Sequence, residues 1–192
     1  VVAKPSEITP MTAYLLSKIC KEINFPKGVL NIIHGRGEKL GDALTTHQDV
    51  PIVSFTGGSD TGKHISKVTA PYFKKLSLEL GGKNPNIIFD DCDIDKAVST
   101  ASRAAFTNQG QICLCGSRVF VQNKIYEKFK SALVDKAKKL IVGDPKNSKS
   151  HLGAVVSEEH MNKILLKINE AKKLGGILLC GGERLILEGE LK

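Results

Sequence analysis

Short apolar runs and amphipathic helical segments alternate along the whole of this sequence. A chain with that pattern lays helices against parallel strands, so the fold class is α/β: parallel sheets with flanking helices. Thr9 offers a hydroxyl N-cap and Pro10 the first helical position to a helix whose apolar stripe is Met11, Leu15, Ile19 and Ile23. The mostly β-branched run Val29 to Ile33 reads as a buried parallel strand, and Ile52 to Phe55 as another. Helices are expected over 38 to 45 and over 61 to 70, the second opened by Ser59 or Asp60. Strand patterns at Lys75 to Leu80 and Asn86 to Phe89 flank Gly81-Gly82, where a domain crossover is expected. Asp93 caps a helix running to Phe106, and a polar loop from Asn108 to Gly116 leads to a strand at Arg118 to Val121. Two long helices, about 124 to 140 and 157 to 174, are separated by a Gly-Asp-Pro turn, and Ile177 to Cys180 has the look of a last strand.

Composition narrows the function classes. With 192 residues and 41% of them hydrophobic, the chain can bury a core. It has neither a long uninterrupted apolar run nor the layout of a secretory signal, so a cytoplasmic protein without a membrane partner is the expectation. Five cysteines without a CxxC pair point to reduced thiols, not to a disulfide framework or a metal site. The net charge of +8 comes largely from lysines interspersed with Asp and Glu on two helical patterns. No aromatic residues alternate with them as a base-stacking surface requires, so nucleic acid is not the expected partner.

Three glycine segments compete for a phosphate. Gly57 to Lys63 has GxxxxGK spacing between a strand and a helix, but His64 stands where a triphosphate loop needs a magnesium-binding hydroxyl. Gly35 to Gly41 has one residue too many for GxGxxG, and one extra residue turns the third glycine through about 100° on a helix. A plainer feature survives: a strand, then Phe55-Thr56-Gly57-Gly58, then a helix N-terminus whose free amides suit a pyrophosphate. The third segment, Gly81-Gly82, follows an acid, Glu79, at the end of an apolar strand. Such a carboxylate is either a paired structural group or a base with a raised pKa. A second element favours chemistry: Asn108-Gln109-Gly110-Gln111-Ile112-Cys113-Leu114-Cys115-Gly116 puts thiols in a polar loop, where a reactive thiolate is better placed than in a core.

LELGGKNP followed about thirty residues later by NQGQICLCGSR resembles the two active-site signatures of the aldehyde dehydrogenase superfamily. Lys4-Pro5-Ser6-Glu7, Phe25 to Asn31, Phe55-Thr56-Gly57 and Ser117 to Gln122 follow in the order of that family, so the likeness spans the chain. The resemblance implies that Cys113 attacks an aldehyde to form a thiohemiacetal and then a thioester, which a water activated by Glu79 hydrolyses. For Glu79 it implies a pKa raised by apolar surroundings. Cys115 remains a rival, because in an extended loop residues 113 and 115 point the same way.

The same resemblance implies NAD as cofactor. Lys4 and Glu7 would bind the adenosine ribose, Gly57 and Gly58 the pyrophosphate, and Leu80 and Gly81 would lie near the nicotinamide, Gly81 allowing close backbone approach. Gly58 stands where many members of that family carry a serine. Residues 1–80 would then be part of a Rossmann-like NAD-binding domain and 81–192 part of the catalytic domain. An oxyanion-hole asparagine would precede Val1, a ribose-positioning glutamate would lie beyond Lys192, and the oligomerisation segment of that family is absent too, so the sequence reads as a fragment, inactive alone, of a homo-oligomer. Thr69 to Asp91 and Asn108 to Gln122 resemble the 2-aminomuconic semialdehyde dehydrogenases of tryptophan catabolism. Other specificities in that family, of the retinal type among them, and a non-catalytic truncated binding module are the alternatives.

Overall fold

A computed structural model describes residues 1–188, and the expected chain end at Leu191-Lys192 lies outside them. The chain divides between Leu80 and Gly81 into two compact units. Among the described residues the strands pair two by two, all in parallel.

In the first unit, β1 (Val2–Ala3) pairs with β2 (Asn31–Ile32), and α1 (Met11–Glu22) and α2 (Gly37–Thr45) follow these strands. β3 (Ile52–Gly57) runs into α3 (Ser59–Thr69), and β4 (Lys75–Leu80) returns alongside β3 in a register that sets Thr56 opposite Glu79 and Gly57 opposite Leu80. Val53, Ile65 and Thr69 are buried, and Thr69 closes its own turn by donating its hydroxyl to the Ile65 carbonyl at 2.7 Å. The reading of 29–33 and 52–55 as strands buried on both faces is corrected. β2 is a two-residue strand with Val29 exposed before it, and in β3 only Val53 is buried, because two-stranded sheets among the described residues leave one face open. The apolar stripe of α1 stays half exposed, with Leu15 at 50% and Ile19 at 51%.

Two helix starts also differ from expectation. Pro10 occupies the cap position of α1 with no side-chain cap, so the Thr9 hydroxyl does not close the first turn. Gly58, not Ser59 or Asp60, caps α3; its extended backbone begins the helix one residue earlier than a hydroxyl cap at Ser59 would.

The second unit carries a local core. β5 (Pro85–Ile88) pairs with β6 (Arg118–Val121), and α4 (Ile94–Phe106), α5 (Tyr126–Lys138) and α6 (Glu158–Lys173) complete the regular elements. Ile88, Val98, Ala101 and Phe129 form the buried cluster, with Val119, Val121, Ala132 and Leu133 packed around it. The Asp93 carboxylate accepts the Lys96 N–H at 3.1 Å and caps α4 as expected; Ser157 caps α6 through the His160 N–H at 3.1 Å. The expected strand at Ile177 to Cys180 does not form. The segment has no ladder partner among the described residues, and an apolar run without one is not a strand. No helix among the described residues is long and apolar enough to cross a membrane.

Candidate functional site

The candidate residues of the first unit lie at the carboxyl ends of parallel strands, where α/β folds hold ligands. Lys4 follows β1. Its ammonium donates to the Pro5 carbonyl at 2.7 Å, to the Gly35 carbonyl after β2 at 3.3 Å, and to the Glu7 carboxylate at 3.4 Å. The Glu7 carboxyl is held below its ordinary value, first by its own main-chain N–H, which outweighs the opposing effect of desolvation, and then by Lys4. Glu7 therefore faces a cleft of about 310 Å³ as an anion at neutral pH; Pro5, Pro10, Met11, Tyr14 and His34 line its apolar part. A hydrogen-bond acceptor beside such walls suits the hydroxyls of a sugar attached to a flat ring.

At the end of β3 the chain passes through Gly57 and Gly58 into α3. The first amide to find an intrahelical acceptor is that of Gly62, which donates to the Gly58 carbonyl at 3.0 Å. Among the described residues, Gly58 supplies no side-chain cap, so the N–H groups of Ser59, Asp60 and Thr61 are left to a ligand or water. The positive end of the helix dipole points the same way. The Asp60 carboxylate on this turn works against an anion and Lys63, 3.9 Å from it, offsets that charge. A Cβ on Gly62 would come within 2.7 Å of Leu80 Cδ2, so glycine here lets α3 approach β4. That role was missed in the sequence, where Gly62 counted only toward a phosphate-loop spacing.

Glu79 and Leu80 share this strand end. Glu79 lies on the exposed face of β4 and Leu80 on the half-buried one. The apolar surroundings expected for Glu79 are thus not supplied by the described residues of its unit, because strand alternation turns the apolar neighbours Leu78 and Leu80 to the other face. A Cβ added at Gly81 would meet nothing within 4 Å, and its φ is not positive, so no crowding among the described residues demands glycine there.

In the second unit, the loop carrying the thiols is neither extended nor regular. After α4 come three consecutive left-handed residues, Asn108 (φ 50°), Gln109 (φ 56°) and Gly110 (φ 73°). For the two non-glycine residues that conformation costs on the order of 1 kcal/mol each, strain of the kind that gathers at functional sites. Gln111 then anchors the loop by accepting the Val156 N–H at 3.0 Å. A turn closed by the Cys115 N–H on the Ile112 carbonyl, at 3.1 Å, breaks the alternation assumed for an extended loop. Its consequence is a division of the two thiols: Cys113 is exposed and Cys115 is 7% exposed. Among the described residues, the Cys113 main-chain N–H has no acceptor.

Residues far away in sequence fix this turn. The Asn84 side-chain amide donates to the Cys113 carbonyl at 2.6 Å and to the Cys115 carbonyl at 3.2 Å. Arg118 Nε donates to the Lys83 carbonyl at 2.8 Å, and a Cβ on Gly116 would touch Ala104 and Asn86 at 3.4 Å. Asn84 sits in the motif that carries Glu79, but nothing in the spacing tells that its side chain crosses to the thiol loop.

The comparisons with known proteins agree on one family. Residues 1–191 match the model of the aldehyde dehydrogenase family. The chain is 44% identical to 2-aminomuconic semialdehyde dehydrogenase of Bos taurus over 94% of its own length and 37% of the relative's. It is 45% identical to 4-trimethylaminobutyraldehyde dehydrogenase A of Danio rerio, over 96% and 36%. A crystal structure of betaine aldehyde dehydrogenase from Staphylococcus aureus, in complex with NAD+, superposes with a TM-score of 0.94 at 46% identity, covering 97% of this chain and 37% of that one. The chain thus spans about 37% of the length of relatives such as the bovine one.

Proposed function

The chain belongs to the aldehyde dehydrogenase family, and on that premise we propose that the whole protein oxidises an aldehyde to its carboxylic acid with NAD through a thioester on Cys113. The observation that carries this reading is the division of the two thiols: Cys113 is open to a substrate while Cys115 is buried. A nucleophile must reach a carbonyl carbon, and a sealed sulfur cannot. The Cys113 N–H, without an acceptor among the described residues, is suited to donate to the oxygen that becomes negative when the sulfur adds.

Residues 1–80 take the role of part of the NAD-binding domain and the residues from Gly81 onward that of part of the catalytic domain. The first unit fits the cofactor. The Glu7 anion accepts from the ribose hydroxyls and, by charge, rejects a 2′-phosphate; Lys4 holds Glu7 in place. Gly57, Gly58 and the free amides of α3 face the pyrophosphate, and Leu80 and Gly81 border the nicotinamide. When bound, the nicotinamide supplies the hydride acceptor. Glu79, exposed at the end of β4, takes the proton of the water that cleaves the thioester.

The substrate proposed is a semialdehyde of the 2-aminomuconic type, on the resemblance of residues 69–91 and 108–122 and on the 44% identity to that enzyme. The setting proposed is the cytosol, where thiols stay reduced, and the state a homo-oligomer.

The test uses the whole protein. With NAD and 2-aminomuconic semialdehyde, betaine aldehyde or retinal, NADH should form, fastest with the first. Glu79→Gln should release about one equivalent of NADH per site in a burst and then slow, since acylation does not need the base. An unchanged steady state would remove Glu79 from the mechanism, and no NADH with any aldehyde would overturn the activity.

A further inference from the structure

We propose that Asn84 is a positioning residue for Cys113: by bridging the carbonyls of Cys113 and Cys115 it fixes the turn that holds one sulfur outward and the other inside. The inference rests on the reading of Cys113 as nucleophile and adds a residue that contacts no reacting atom.

The loop from Gln111 to Ser117 has no regular secondary structure, so each carbonyl in it must find its own donor or face water. Its two ends are held independently. Upstream, the Gln111 side chain takes the Val156 N–H at 3.0 Å; downstream, the Gly116 N–H donates to the Ala104 carbonyl at 3.1 Å. Between these anchors the main chain closes the turn once, Cys115 N–H to the Ile112 carbonyl at 3.1 Å, and the Cys115 carbonyl, which Asn84 also reaches, accepts the Ser117 N–H at 2.9 Å. One such bond, in contact with water, does not hold a turn against the entropy of its residues.

The Asn84 amide has two hydrogens and uses both, at 2.6 and 3.2 Å, on carbonyls that flank Leu114. Asn84 is itself rigid. It precedes β5, its carbonyl accepts the Arg118 N–H at 3.2 Å, and the next residue, Pro85, is in register with Arg118. The half-buried side chain thus hangs from the end of a strand pair and transmits the position of that pair to the thiol turn. Of the turn residues Ile112 to Cys115 only Cys115 is buried, and Leu114, at the tip, is 80% exposed, so apolar packing holds one end of the turn at most. Without them, the turn opens toward the extended form in which both sulfurs share a side, and Cys115 becomes reachable.

A carboxylate in place of the amide removes both donors and sets a negative charge against the two carbonyls, which also disfavours a thiolate at Cys113. The side-chain shape is otherwise kept, so Asn84→Asp separates hydrogen bonding and charge from packing.

The experiment labels the whole protein with iodoacetamide across pH, maps Cys113 and Cys115 by peptide mass, and measures kcat and the KM for NAD. In wild type Cys113 should label and Cys115 should not. In Asn84→Ala the labelling of Cys115 relative to Cys113 should rise about tenfold or more, as local opening exposes it. Its kcat should fall about 10- to 100-fold with the KM for NAD unchanged, as for a displaced reacting group. Asn84→Asp should also move the Cys113 labelling profile to higher pH, and Asn84→Ser, keeping one donor, should fall between Ala and wild type. A folded Asn84→Ala with wild-type labelling and kcat overturns the proposal; if that variant does not fold, Asn84→Ser with wild-type values does so instead. Turnover surviving in Cys113→Ser would overturn the nucleophile reading alone, because the labelling ratio reports on the turn whichever thiol reacts.

Discussion

The strand, turn and helix from Ile52 to Thr69 and the thiol loop from Thr107 to Arg118 both present free main-chain N–H groups, yet they are held in opposite ways. In the first, the defining bond is local, Gly62 N–H to the Gly58 carbonyl at 3.0 Å, and the flanking elements are regular. In the second, the holding contacts reach across the sequence, from Asn84 to Cys113, Lys83 to Arg118 and Gln111 to Val156. A segment fixed by its own residues tolerates single changes and can be read from spacing. One fixed from elsewhere is brittle, and its geometry is invisible until the fold is known.

The largest expected effect tests that brittleness at the sulfurs. In the whole protein, Cys113→Ser should lower kcat by roughly 10⁴-fold or more, as loss of a covalent nucleophile does. Cys115→Ser should leave kcat within about tenfold, since it alters a buried side chain that supports the turn. Steady-state NADH formation decides; equal losses in both variants would erase the distinction between exposed and buried thiol.

Next in size is the platform under the loop. Phe129, 1% exposed, is the largest side chain fully buried among the described residues and packs with Val98 and Ala101 of α4, which leads into the loop, and with Ile88 of β5, the partner of β6. Phe129→Ala should cost about 3 to 5 kcal/mol in denaturant unfolding, the combined effect of lost transfer energy and a cavity. A cost below about 1 kcal/mol would mean that the cluster is not what holds the loop's scaffold.

What was legible in the sequence follows the same division. β4 and β6 formed at the residues expected, and α4 began after Asp93 as its capping side chain indicated. These rest on alternation, helical period and a cap, all local. Ile177 to Cys180 had the composition of a strand but no partner, and pairing is a property of two segments, not one. The left-handed run at 108–110 and the reach of Asn84 carry no pattern at all, since Asn and Gln are ordinary loop residues until a neighbour fixes them. The two thiols could not be ranked by the residues alone because a turn, not an extended strand, sets their directions.

The local region should answer with a smaller effect. At Gly62, alanine gains helix propensity worth about 1 kcal/mol. Against this, its Cβ meets Leu80 Cδ2 at 2.7 Å, and overpacking costs about 1 to 3 kcal/mol where neighbours cannot move. Leu80 is only half-buried and the contact is with the end of its side chain, so it can turn away. The two effects should nearly offset, and Gly62→Ala should change unfolding stability by no more than about 1 kcal/mol. A larger loss would show that Leu80 is locked, and that the strand-turn-helix segment is less self-sufficient than its hydrogen bonds suggest.

The smallest effect lies in the two capped helices of the second unit, which differ only in whether the cap titrates. The Lys96 N–H, and after it the Lys96 side chain, holds the Asp93 carboxyl below its ordinary value, whereas Ser157 offers α6 a hydroxyl without a charge. A carboxyl whose pKa is lower folded than unfolded adds stability above the unfolded value, and that stability disappears as pH falls through the folded one. The α4 cap therefore weakens below about pH 4, near the ordinary aspartate value, and the α6 cap does not. Asparagine caps nearly as well as aspartate but does not titrate, so Asp93→Asn should match wild type near neutrality and lose less stability on acidification. Other carboxylates, Glu7 among them, respond to acid too, so the measured quantity is the difference between variant and wild type in urea unfolding at pH 7 and at pH 3. If that difference is the same at both, the charge on Asp93 contributes nothing to the cap, and the two helix starts are equivalent.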